Sequence, residues 1–143
     1  PMNHSHGLRR YYGNMVKGAT VILSTGVMNV LKFFQLMDIY KVNSIDLVPT
    51  ALTVLLRLSK NKFAEYKDVL RYIQFGSAPL ADGDKITIRS LLPNTHLYNF
   101  YGSTESGCIC IYDFNTDNDK PKCIGKPACN AKILIVDENR TPD

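Results

Sequence analysis

Acidic residues are missing from the first 37 positions of this 143-residue chain, which carry Arg9, Arg10, Lys17 and Lys32 with nothing of opposite sign before Asp38. Such a stretch suits an anionic ligand or a solvated basic surface. Long apolar runs are missing too. Residues 19–23 and 30–37 are interrupted by polar side chains and fall short of the roughly 18 consecutive apolar residues of a membrane span, which excludes a transmembrane segment. No basic stretch followed by an apolar one opens the chain, so nothing marks it for export and a cytoplasmic location is expected. Seventeen Lys and Arg against thirteen Asp and Glu leave a charge of +4. The basic residues are scattered, with only Arg9 and Arg10 adjacent, so no nucleic-acid partner is expected. The four cysteines, Cys108, Cys110, Cys123 and Cys129, contain no C-x-x-C pair. That spacing disfavours a zinc knuckle and favours reduced thiols, with Cys108 and Cys110 on one side of a strand. Phosphate-loop, G-x-G-x-x-G, H-E-x-x-H and G-x-S-x-G patterns are absent, and Gly125-Lys126-Pro127 lacks the loop and hydroxyl of a Walker motif.

What the chain does have is 45% hydrophobic residues, enough to bury a true core. Short apolar runs at 19–23, 45–48, 72–75 and 96–100 read as strands separated by helix-length segments. Val30, Phe33, Phe34 and Met37 keep one apolar helical face behind Asn29, a cap residue. Thr50 is placed to cap a helix carrying Leu52, Leu55 and Leu56, and Asp82 or Asp84 to start one carrying Ile88, Leu91 and Leu92 before Pro93. The alternation predicts an α/β fold: an open, mainly parallel sheet with helices on both faces. Residues 1–112 form this subdomain. In residues 113–143, a polar, turn-rich stretch at 113–122 and a strand at 131–136 before a turn at 137–140 predict a linker and the first strand or strands of a small β-barrel-like subdomain. The chain starts mid-loop and stops mid-hairpin, as an internal piece of a larger protein would.

In open α/β sheets ligands collect beyond the carboxyl ends of the strands, which directs attention to the segments after residues 75 and 100. After 100 come Tyr101, Gly102, Ser103, Thr104 and Glu105. The ring can stack on a purine, the glycine lets backbone approach closely, Thr104 can donate to a phosphate oxygen and Glu105 can ligate Mg²⁺. A Ser/Thr-rich loop entering a short helix accounts for the same residues. Gly76, Ser77, Ala78, Pro79 and Leu80 leave room for a planar ligand, or form a plain turn. His4 and His6 suit a metal, an anion or a helix cap.

Taken in order, P-x-x-H-x-x-G at 1–7, G-S-A-P-L at 76–80, N-x-Y-G-x-T-E at 99–105 and I-G-K-P at 124–127 resemble the adenylate-forming superfamily of acyl-CoA synthetases, luciferases and peptide-synthetase adenylation domains. The chain looks most like an internal portion of the large N-terminal domain of a fatty-acid–CoA ligase. The resemblance implies activation of a small-molecule carboxylic acid by ATP and Mg²⁺, with coenzyme A, or alternatively a carrier protein, as acceptor. It implies that Asn99, Phe100 and Tyr101 bind adenine with Ser77, Ala78 and Pro79. It places Thr104 at the α-phosphate, Glu105 on Mg²⁺ and His4 at the reacting carboxylate. His6, Gly76 and Gly102 would line the acyl pocket. An aspartate that peptide-synthetase domains place near the opening motif is missing, and Tyr11, Tyr12 and Phe100 add aromatic character, which favours a fatty or aryl acid over an amino acid. The family's upstream phosphate loop, its ribose-binding aspartate and its C-terminal lysine domain fall outside these residues, so the isolated piece is expected to be inert. A non-catalytic nucleotide-binding α/β module is the rival reading.

Overall fold

Three of the four apolar runs become the parallel half of one sheet. A computed structural model describes residues 2–115 and 123–142. In chain order it contains α1 (Ser5–Val16), α2 (Val30–Tyr40), β1 (Ser44–Leu47), α3 (Pro49–Ser59), a 3₁₀ turn (Lys62–Tyr66), β2 (Tyr72–Gly76), α4 (Asp82–Leu91), β3 (His96–Ser103), β4 (Gly107–Asp113) and β5 (Lys126–Pro127). The strand order follows the numbering. β1, β2 and β3 are parallel, and β4 and β5 are added antiparallel.

Local chemistry sets the helix starts. Asn29 accepts the Lys32 backbone N–H at 2.9 Å through its side chain, as a cap should. Thr50 is not a cap. α3 begins at Pro49, behind Val48, with no side-chain cap bond, because proline's fixed φ already suits the first helical position. α4 starts at Asp82, with Asp82 and Asp84 in its first turn, where negative charge is favoured by the helix dipole.

Register divides the sheet into two faces, since paired residues of neighbouring strands share a side. Ile45, Leu47, Ile73, Phe75 and Leu97 point to one face and are buried with Phe34, Leu52, Leu55, Ile88 and Leu92 of α2, α3, α4 and the turn after it. Burying each such side chain contributes about 1.5–3 kcal/mol, and this layer is the main core. Asp46, Gly76 and Phe100 point to the other face, where α1 lies across them through His6 and Arg10. Helices therefore cover both faces, as the alternation predicts.

Two expected strands are corrected. Residues 19–23 form none. They follow α1 through Gly18 at φ +70°, Leu23 is exposed, and among the described residues β1 pairs only with β2, so the run has no ladder to join. Residues 131–136 are largely exposed and form no ladder; among the described residues only Val136 of this run bridges, to Pro142. That bridge closes the hairpin that the sequence leaves open. Its turn is held by Asp137, whose carboxylate accepts the backbone N–H groups of Asn139 and Thr141 at 2.9 and 2.8 Å. The expected boundary at 112/113 falls within β4, and Phe114 lies in the main core. Of the turn-rich stretch 113–122, residues 116–122 lie outside the described residues. Among the described residues no helix is long and apolar enough to cross a membrane.

Candidate functional site

β2 ends at the buried Gly76, and Ser77, Ala78 and Pro79 then form an exposed arch before Leu80 re-enters the core. Ser77 has φ +72°, a left-handed conformation that a non-glycine residue holds at a cost of about 1–3 kcal/mol. Lys41, Lys60 and Arg140 also hold a positive φ, at helix ends and in a turn, so the strain marks a sharp change of chain direction after β2.

The neighbouring strand does not run into a helix. β3 continues to Ser103, turns over Thr104, Glu105 and Ser106, and returns as β4. The pairing shifts between Tyr101 and Gly102, a bulge that re-aims the tip. Gly102 is the residue that permits it, because a Cβ there would lie 1.8 Å from the Gly107 carbonyl oxygen. Backbone approach is thus realised at Gly102, and its partner is the opposite strand.

Alternation along β3 puts Asn99 and Tyr101 on one face and Phe100 on the other. Tyr101 is 48% exposed, a free ring at the strand end. The Asn99 Oδ1 is buried without a hydrogen-bond partner, an acceptor whose desolvation is uncompensated until a donor arrives. Phe100, paired with Gly76 in register, faces α1, and the Arg10 guanidinium sits 4.2 Å above its ring.

The opening motif reaches the same end of the sheet through α1. His4 is the helix cap, its Nδ1 accepting the His6 backbone N–H at 3.2 Å. Ser5 and Thr104 hydroxyls are 2.9 Å apart, and Arg9 donates to the carbonyls of Ser103 and Thr104. The positive end of a twelve-residue helix is thereby held against the hairpin tip. His6 packs on Gly76, where a Cβ would meet its ring at 2.7 Å. The His6 Nε2 lies 3.0 Å from Asp46 Oδ1 in a direction that makes no hydrogen bond, and Arg10 Nε lies 3.2 Å from Asp46 Oδ2.

Ser5, Arg9, Arg10 and Asp46 escaped the sequence reading. The acid-free opening was the available signal for the arginines, and Asp46, a lone charge inside an apolar strand, was the signal for their partner. Glu105 is exposed at the tip. Its carboxyl is held below the ordinary carboxylate range chiefly by its own backbone N–H and then by the Ser103 hydroxyl, with Arg9 adding a smaller pull. Among the described residues no three His, Cys, Asp or Glu side chains form a metal cage. A single ionised carboxylate suits Mg²⁺, which takes most of its shell from water and substrate phosphates. A cavity of about 410 Å³ opens at the opposite, amino ends of the strands, beside Asn43, Arg71 and Asn94, away from every residue singled out in the sequence.

A free aromatic ring, an orphaned amide, two hydroxyls and a carboxylate are thus gathered at the carboxyl end of β3, beside a helix amino terminus. Comparison with known proteins gives the family. The luciferin 4-monooxygenase of Luciola mingrelica is 31% identical over 99% of this chain and 26% of its own. The 4-coumarate–CoA ligase 2 of Nicotiana tabacum is 27% identical over 96% and 26%. The chain thus spans about a quarter of the length of these curated relatives. The crystal structure of CmiS6 superposes on all of the chain and 35% of its own with a TM-score of 0.88 at 23% identity, which establishes the shared fold. Residues 1–143 match the AMP-binding enzyme family from end to end, and the chain belongs to that family.

Proposed function

We propose that this chain is the nucleotide- and acid-binding part of a longer enzyme that activates a carboxylic acid with ATP, forming an acyl-adenylate and pyrophosphate, and passes the acyl group to coenzyme A. The observation that carries the reading is the meeting of the α1 amino terminus with Thr104 and Glu105 at the β3–β4 tip, beside the orphaned Asn99 acceptor. Asn99 Oδ1 accepts a hydrogen bond from the adenine exocyclic amine, and Tyr101 stacks on the ring. The exposed backbone of Ser77, Ala78 and Pro79 closes the other side of the purine. Thr104 and the free N–H groups at the start of α1 stabilise charge building on the α-phosphate oxygens as the carboxylate attacks. His4, at the head of that helix, faces the reacting carboxylate. Glu105 would hold Mg²⁺, which supplies neutralisation of phosphate charge.

The acid lies on the opposite face, against Gly76, Phe100 and His6. Asp46, an acid on this wall, is already paired with Arg10, so among the described residues it leaves no free carboxylate of its own for a substrate ammonium there. This supports a fatty or aryl acid over an amino acid. The test is ATP–pyrophosphate exchange by the full-length enzyme with a panel of acids, followed by product masses with and without coenzyme A. Fatty or aryl acyl-CoA supports the reading, whereas exchange with amino acids alone, or transfer only to a carrier protein, overturns its finer part. Asn99→Ala removes one hydrogen bond to the base and should raise KM for ATP by about tenfold with kcat little changed; an unaltered KM would detach Asn99 from the nucleotide.

A further inference from the structure

The Gln74 Oε1 is buried without a hydrogen-bond partner, and no part of the site described above uses this residue. Gln74 sits in the middle of the wall that α1 covers. It pairs with Asp46 on β1 and Tyr98 on β3 and stands two positions before Gly76 on β2, so the side chains of Asp46, Gln74, Tyr98 and Phe100 share one face. Arg10 crosses above this face. Its Nε lies 3.2 Å from Asp46 Oδ2 on β1 and its Cζ 4.2 Å from the centre of the Phe100 ring on β3, strands that stand roughly 10 Å apart with β2 between them. The guanidinium therefore spans β2 in the neighbourhood of Gln74, yet it gives the amide no hydrogen bond. Among the described residues its two Nη groups donate to nothing. The wall is open from one side, since the Arg10 and Asp46 side chains keep 28% and 26% of their surface exposed.

We infer that Gln74 is a specificity-determining residue, which selects acids carrying a hydroxyl at the end remote from the reacting carboxylate. The inference rests on the reading that the acid lies under α1 against Gly76, Phe100 and His6. Gln74 is two residues, about 6.6 Å of strand, farther from the carboxyl end of β2 than Gly76, so it meets the tail of the acid rather than its carboxylate. A hydroxyl gives one proton and accepts others. It donates to Gln74 Oε1 and accepts from Arg10, matching an open acceptor and open donors on the same wall. Other polar tails match less well: an ammonium group meets the Arg10 cation, and a carboxylate has no proton for the Gln74 oxygen. An acid of the same shape without the hydroxyl leaves the buried oxygen desolvated and unpaired, and that is how a site built around a hydrogen bond rejects the analogue lacking it.

The experiment measures ATP–pyrophosphate exchange by the full-length enzyme with matched acids on aryl, arylpropanoic and straight-chain scaffolds. Each scaffold is offered with a terminal hydroxyl, without it, and with a terminal carboxylate or ammonium in its place. The readout is the ratio of kcat/KM for the hydroxylated acid to that for its deoxy partner, which does not depend on how much of a preparation is folded. The unaltered enzyme should give a ratio of about ten or more on the scaffold it uses best. Gln74→Met keeps the length of the side chain and removes the acceptor, and it should bring the ratio to about one. A ratio near one in the unaltered enzyme, a preference for the carboxylate or ammonium tail, or an unchanged ratio in Gln74→Met would each overturn the inference. The first and third of these leave acid activation standing, whereas exchange with no acid of the panel would remove the function proposed above and this inference with it.

Discussion

Glu105→Gln in the full-length enzyme is expected to lower adenylation at least a hundredfold while leaving the fold intact. Glutamine keeps the length of the side chain and can still bond to Ser103, so the hairpin tip retains its shape. What it loses is the negative charge. A carboxylate that places a divalent ion on transferring phosphate is worth about 3 kcal/mol or more of transition-state stabilisation, roughly a factor of a hundred in rate. An exposed glutamate with no such duty is worth under about 0.5 kcal/mol. The two readings are therefore far apart in a pyrophosphate-exchange assay, and raising the Mg²⁺ concentration should recover part of the loss. The downward shift of this carboxyl adds a pH corollary. A group with a lowered pKa is ionised from its lowered value upward, so Glu105 is already charged throughout the neutral range and contributes no titration to activity there. Unchanged exchange rates in the variant would take Glu105 out of the mechanism.

The second large effect belongs to stability. Gly102→Ala drives a methyl group to 1.8 Å from the Gly107 oxygen, 2.8 Å from its carbonyl carbon and 3.1 Å from the Cys108 Cα. All three are backbone atoms, so no side chain can swing aside and the bulge must open. Overpacking of this severity should cost about 3 kcal/mol, a fall in Tm of roughly 10 °C for a chain of this size. Gly13→Ala is the control. It lies within α1 with nothing within 4 Å of the added carbon, and helix propensity predicts a gain of about 0.5–1 kcal/mol. Thermal unfolding of the two variants should move in opposite directions; a Gly102→Ala protein as stable as the parent would show that the bulge is not closed as described.

Periodicity made β1, β2, β3 and α2 legible, because each buries an apolar face and the Asn29 cap carries its own signature. It failed at residues 19–23, where apolar composition was present but no neighbouring strand was, since a strand depends on a ladder supplied from elsewhere in the chain. α1 was missed for the converse reason. None of its residues is buried, and it holds its place through the Arg10–Asp46 ion pair, the packing of His6 on Gly76 and the Arg9 hydrogen bonds to the hairpin carbonyls. These contacts join positions far apart in sequence and leave no periodic trace. Site residues were legible as motifs, but their sides were not. Only the register shows that Phe100 parts from Asn99 and Tyr101 to join Gly76 beneath α1.

The claim beneath the whole account is that the nucleotide lies at the carboxyl ends of β2 and β3. Photolabelling of the full-length enzyme with an azido-adenine analogue of ATP, followed by peptide mapping, measures this directly. The account predicts label within residues 76–80 or 99–105, suppressed by excess ATP. Suppressible label at the amino-end cavity beside Asn43, Arg71 and Asn94 would contradict it.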